Sequence, residues 1–459
     1  MLNRREAMVR LGGIGLGSLT LPGLLGTERS HAASAARRGK ARSCIFLFLW
    51  GGPPQQDMWD MKPDAPAGIR SLFRPIRTVV PGIDICDQMP LVAQHTDKLA
   101  LIRSMSHPSD VHESAVYHTL TGRQNPQLIS PRNFRRRSDF PNVGSVVSFF
   151  SRPGVMPASL TIPRPIGHDG VTYAGTYAGF LGPRHDPMEL REAPMSKDQP
   201  AHALSLAEGV DTSRLIARHG LVRLLERHDR LLHQAGASEG FGGYYEQAFR
   251  MLSSPAAKRA FDLEREEPAV RDRYGRNEYG ESFLLARRLV GAGVRLVSVI
   301  WMYFMTNGRI ANVWDTHGGT PTLAPTGFGM LKDKYCIPPL DQAYSALLED
   351  LSARGMLDET LVVAVGEFGR TPKINPNQGR EHWGTCYSAL LAGGGVRGGQ
   401  VYGASDKIAA YPKDNPVAPE DLLATIFHAL GVPPDAHIHD REGRPQRVCE
   451  GKPVEALFG

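Results

Sequence analysis

The chain has 459 residues, 41% of them hydrophobic and 22% charged, with a formal net charge of +6. That balance fits a folded globular protein and excludes wholesale disorder. Residues 1–36 hold four Arg and two Glu, so the remainder carries only +4, too weak a surplus to argue for nucleic acid as a partner.

The amino-terminal segment reads as an export signal. Arg4-Arg5 precedes an apolar, glycine-rich run from Leu11 to Gly26, followed by the small residues HAASAA. Paired arginines, a weakly apolar middle and an Ala-x-Ala exit are the parts of a twin-arginine signal peptide over residues 1–36, with cleavage near Ala32 or Ala35. The run is too short and glycine-rich to span a bilayer, which takes ~20 apolar residues. The expectation is a periplasmic or extracellular mature chain, 37–459, without a transmembrane segment. Its five cysteines form no CxxC or zinc-finger spacing and read as buried small residues.

In the mature chain, Cys44 to Trp50 is a continuous apolar run, as in a strand covered on both faces. It ends in the loop Gly51-Gly52-Pro53-Pro54. Residues 98–103 form a second strand that leads into His107-Pro-Ser-Asp-Val-His112-Glu-Ser114. Residues 205–265 read as a helical insertion, with Leu and Ile recurring at helical spacing among charged residues. Strands follow at 294–300, 361–365 and 388–392, the first two each preceded by a helical stretch and a glycine turn. This order predicts an α/β domain with a largely parallel sheet, whose reactive residues sit in loops beyond the strand ends.

Those loops hold acids and histidines. Asp315 and His317, two apart on an extended segment after the third of these strands, point the same way. Glu367 ends the next strand, where an unpaired buried carboxylate costs several kcal/mol, and His382 follows on the returning loop. Asp57 lies after the first strand. Carboxylates and imidazoles together suit a divalent ion, so Asp57, Asp315, His317, Glu367 and His382 are candidate metal ligands. Three of them also have a plainer reading: Asp315 as a turn cap, His382 as a packed histidine, Glu367 as the partner of Arg370.

The order GGPPQQDMWDMKP, HESAVYHTLTGR, WDTHGG, GEFGRTPKIN, GREHW and DLLATIFHALG resembles a bacterial family of exported proteins of unknown function. That family is grouped with the alkaline phosphatase and arylsulfatase superfamily. The resemblance implies a three-layer α/β/α sandwich of alkaline-phosphatase type, with a metal-assisted site for phosphate or sulfate esters. Where an arylsulfatase carries its Cys-x-Pro-Ser-Arg motif, this chain has His112, Ser114 and Ala115, so the formylglycine precursor is missing. The first strand ends in Trp50-Gly51-Gly52 instead of the superfamily's metal-binding Asp.

The resulting expectation is an exported hydrolase-like protein holding one divalent ion: Zn, Mn, Ca or Mg. His112 or Ser114 acts as nucleophile or base, and Arg370 and Arg380 clamp an anionic ester or glycan substrate. Two alternatives stand beside it: a non-catalytic binder of anions or sulfated glycans, and a structural partner of another exported protein. The sequence does not fix the oligomeric state.

Overall fold

The computed structural model describes residues 39–125, 127–128, 136–168, 171–190, 213–218, 239–305, 309–319 and 324–459. The export signal lies outside the described residues, as does much of the proposed insertion, including His219, His228 and His233. Within the described part of that insertion, helices run over Glu239–Ser253 and Pro255–Phe261.

Eight strands make one sheet: β1 (Ser43–Phe48), β2 (Leu99–Met105), β3 (Ser159–Ile162), β4 (Met188–Glu189), β5 (Leu296–Ile300), β6 (Thr360–Val365), β7 (Tyr387–Ala392) and β8 (Gln400–Tyr402). Their spatial order is β8-β2-β7-β6-β1-β5-β3-β4. The five strands expected from apolar runs are all present. β3, β4 and β8 were not anticipated; they are short outer strands with little apolar sequence to mark them.

The sheet is largely parallel, and β7 is the exception. It runs antiparallel to both neighbours, β6 and β2. This reversal matters for function. A parallel return would carry the chain to the opposite edge before re-entering the sheet. With β7 reversed, residues 366–386 stay at the carboxyl edge, so Glu367 and His382 belong to the same crevice.

Alternate residues of each strand feed two cores, as the period of two demands. Ile45, Leu47, Val362 and Ala364 pack with helices α3 (Glu278–Gly291) and α4 (Ile337–Ala353). Phe46, Phe48, Val363 and Val365 pack on the other face with α1 (His112–Thr121), α2 (Val143–Phe150) and α5 (Pro419–Leu430). The architecture is therefore the expected three-layer α/β/α sandwich. Both faces being covered is what makes β1 and β6 continuously apolar. All five cysteines are free and buried within it. Among the described residues, no helix is long and apolar enough to cross a membrane.

Candidate metal centre

Above the carboxyl edge, four side chains from three segments converge. Asp315 and His317 come from the loop after β5, His382 from the loop between β6 and β7, and His112 from the first position of α1. Asp315 Oδ1 lies 2.8 Å from His317 Nε2 and 3.0 Å from His382 Nε2, and the two Nε2 atoms are 2.9 Å apart. His112 Nε2 is 3.4 Å from the other carboxylate oxygen of Asp315.

The far side of each imidazole decides what this triangle presents. His317 Nδ1 is 2.6 Å from Glu381 Oε2, and His382 Nδ1 is 2.9 Å from the carbonyl oxygen of Asp110. Both of those oxygens only accept, so both Nδ1 atoms carry the hydrogen. Arg370 Nη1, which can only donate, lies 3.5 Å from His317 Nε2. His382 is held below the usual histidine range, first by burial, against the pull of its bond to Asp315, with the charges of Arg370 and His112 adding to the lowering. Two Nε2 lone pairs and a carboxylate oxygen therefore face one another at 2.8–3.0 Å. A proton on His317 would satisfy two edges of that triangle; a cation above its face satisfies all three.

The spacing suits such an ion. Ligands ~2.1 Å from a metal stand ~3.0 Å apart at the right angles of an octahedron and ~3.4 Å apart in a tetrahedron, so the triangle is nearer the octahedral spacing. The second contacts of His317 and His382, to a carboxylate and a backbone carbonyl, are those that orient imidazoles toward metals. His112, Asp315 and His382 form another group within coordination range, their ligand atoms all within 4.8 Å of one another. His112 is the weaker ligand of the two choices. Burial by itself would depress its imidazole, but hydrogen bonds to Asp315 and Glu367, and their charges, push it up to about 9. Its proton would have to leave before it could coordinate.

Glu367 shares that role with Asp315. It is fully buried, and its oxygens accept from the Gly51 N–H at 2.9 and 3.1 Å and meet His112 Nδ1 at 2.7 Å. Gly51 makes this possible: at φ +122° its backbone passes so close to the Asp315 loop that an added Cβ would meet the Asp315 nitrogen at 2.3 Å. Glu367 thus holds His112 and the first-strand loop in place. His107 braces it from behind, with Nε2 2.6 Å from the Glu367 carbonyl.

Asp315 is the hub. Burial works to raise its carboxyl, but Arg370 and the three histidines hold it well below the usual carboxylate range. Arg370 itself is fully buried. Its guanidinium donates to Asp315 Oδ1 at 2.7 Å, to the carbonyls of Gly52, Trp314 and Arg380 at 2.9–3.0 Å, and to that of Gly51. The expected anion clamp is therefore corrected for Arg370: its donors are spent on the protein. The same holds for Arg380, which grips both oxygens of Asp57 at 2.8 and 2.9 Å and donates to the carbonyls of Ile69, Thr371 and Pro372. Asp57 is thereby a buried ion-pair partner, both of its oxygens turned to the Arg380 guanidinium. Ser114 is buried on α1, two positions beyond His112 and so turned roughly 200° about the helix axis. None of the hydrogen bonds described at His112, Asp315, His317 or His382 involves a hydroxyl or thiol.

Two contributors escaped the sequence reading, Glu381 and Asn312, while His107 stood in the run His107 to Ser114 without a role of its own. Glu381 adjoins His382 and could have been suspected from the Arg-Glu-His-Trp run; Asn312, three residues before Asp315, carried no signal of its own. Asn312 Nδ2 lies 3.3 Å from Asp315 Oδ2 and 3.4 Å from His112 Nε2.

The chain belongs to the family described as protein of unknown function (DUF1501), which matches residues 41–458. No curated protein matches it. Among solved structures it is similar to a chain from Bacteroides thetaiotaomicron described under the metabolism of multiple glycosaminoglycans, at 10% identity and TM-score 0.40, covering 91% of this chain and 76% of that one. It is also similar to a phosphonate monoester hydrolase from Silicibacter pomeroyi, at 12% identity and TM-score 0.36, covering 90% and 76%. An alkaline phosphatase from the Antarctic bacterium TAB5 aligns at 11% identity and TM-score 0.31, covering 80% and 95%.

Proposed function

We propose that this member of the DUF1501 family is an exported, metal-dependent hydrolase-like protein acting on phosphate or sulfate esters. One observation carries the reading: three acceptor atoms, of Asp315, His317 and His382, meet at 2.8–3.0 Å with both imidazoles oriented from behind. Those residues would hold one divalent ion; two imidazoles favour Zn or Mn over Mg or Ca. Such an ion, when bound, polarises an ester oxygen and offsets negative charge as it builds. Glu367 retains the Nδ1 proton of His112 and keeps that imidazole charged at neutral pH, so His112 attracts the anionic group and can pass a proton from Nε2 to a departing oxygen. Export rests on the twin-arginine segment of the sequence.

A second reading, a non-catalytic binder of anionic esters or sulfated glycans, draws support from the lack of a hydroxyl or thiol among the described contacts of the cluster. One experiment separates the two. Elemental analysis of the purified mature protein, with Asp315→Ala and His382→Ala beside it, tests the centre. Turnover of p-nitrophenyl phosphate or sulfate that vanishes with EDTA supports the hydrolase, and saturable binding without turnover supports the binder. Full metal content in both variants sinks the assignment of the centre.

A further inference from the structure

Arg370 and Arg380 spend every N–H on carbonyls, on Asp315 and His317, or on Asp57, so an anion drawn to the centre needs other donors. The amide of Asn312 is in place to supply them. Its Nδ2 faces Asp315 Oδ2 at 3.3 Å and His112 Nε2 at 3.4 Å. The first is long for a hydrogen bond and the second, with a hydrogen on His112 Nε2, is none, whereas the bonds that fix the surrounding imidazoles run from 2.6 to 2.9 Å. A donor at such a distance can tighten onto a substrate oxygen.

The orientation of this amide is imposed from both ends. The carboxylate of Asp315 only accepts, which requires the nitrogen of Asn312 on its side. The oxygen, Oδ1, then faces His168 Nε2 at 3.3 Å and accepts its hydrogen. His168 is fixed in turn: its Nδ1 lies 2.8 Å from the Tyr173 hydroxyl, and its ring packs against fully buried Trp50 with centroids 4.5 Å apart. Trp50 stands just past the end of β1, so the rigid sheet sets where the amide points.

We propose that Asn312 donates hydrogen bonds to the phosphoryl or sulfuryl oxygens of the substrate, and that His168 is the positioning residue that aims its amide. This rests on the ester-hydrolase reading above and deepens it, replacing the two arginines with a neutral amide beside His112. The ligand class is a tetrahedral oxyanion carried on an ester.

The test titrates inorganic phosphate, and separately inorganic sulfate, into the metal-loaded protein by calorimetry, with metal content measured on each sample. Asn312→Ala is expected to weaken anion binding about tenfold to a hundredfold at unchanged metal content, the range for hydrogen bonds to a charged group. Asn312→Asp keeps the shape and sets a negative charge against the anion, so binding should disappear. His168→Leu should weaken binding about tenfold, and His168→Gln, which restores a donor to Oδ1, should recover most of the loss. A purely structural role would not give that rescue. Wild-type binding with Asn312→Ala equally tight overturns this inference alone. A leucine and glutamine pair of equal weakness overturns the role of His168. Metal-loaded wild-type protein that binds neither anion overturns both this inference and the function it rests on.

Discussion

Breaking the buried pair between Asp57 and Arg380 is the sharpest test of how the centre is held. Each residue is 1% exposed, and the guanidinium meets both carboxylate oxygens side-on at 2.8 and 2.9 Å. Arg380 also donates to three backbone carbonyls, one at Ile69 and two at Thr371 and Pro372. It therefore ties the first-strand exit to the loop that carries His382, two residues further on. Arg380→Ala leaves a carboxylate buried without a counter-charge and three carbonyls without donors, and should destabilise the protein by about 3–5 kcal/mol. Asp57→Leu leaves the opposite charge stranded at a similar cost. In Asp57→Leu/Arg380→Met no charge is buried, so the double variant should be more stable than the sum of the singles implies, with a coupling of about 2–3 kcal/mol. Urea midpoints for the four proteins measure this, with hydrogen exchange over residues 371–382 reporting whether the loop opens first. A cost below about 1 kcal/mol for Arg380→Ala, or singles that simply add, would refute the argument that the pair is both desolvated and mutually dependent.

Three further outcomes follow from the same geometry. Burial holds His107 down at about 4, against its bond to the Glu367 carbonyl, while the unfolded chain titrates at about 6.5, so the unfolded state takes up the proton first. The stability tied to His107 is complete above pH 6.5 and is lost as pH falls toward 4, about 3 kcal/mol in all; denaturation midpoints at pH 7.5 and 4.5 should differ less in His107→Gln than in the wild type. Glu381→Gln leaves the fold intact but loosens the orientation of His317, so metal affinity should drop about 10–100-fold in a competitive chelator titration; unchanged affinity would remove His317 from the ligand set. Gly51→Ala forces a Cβ into the backbone at Asp315 and should cost about 2–4 kcal/mol together with metal loss, whereas Gly355→Ala, also at positive φ but with nothing within 4 Å of the added carbon, should cost about 1 kcal/mol and keep the metal.

The strands at the middle of the sheet were legible in the sequence because burial on both faces writes itself locally, as unbroken apolar runs such as Cys44 to Trp50 and Leu361 to Val365. The residues that meet above them were legible as types: acids and histidines gathered at strand ends, and Asp315, His317 and His382 do come together. What each does was decided elsewhere. Arg370 and Arg380 read as anion clamps but are buried and bound to the protein; Glu367 read as a ligand and braces His112; Glu381 and Asn312 enter only through what they touch. Glu367 and His112 stand 255 positions apart in the chain, Arg380 and Asp57 323. Partnerships at such separations follow from strand order, above all from the reversal of β7, and no local pattern records which two distant side chains the sheet will bring within 3 Å. Local sequence sets which residues are buried and which strands form. The sheet, once assembled, sets which charge each of them must answer.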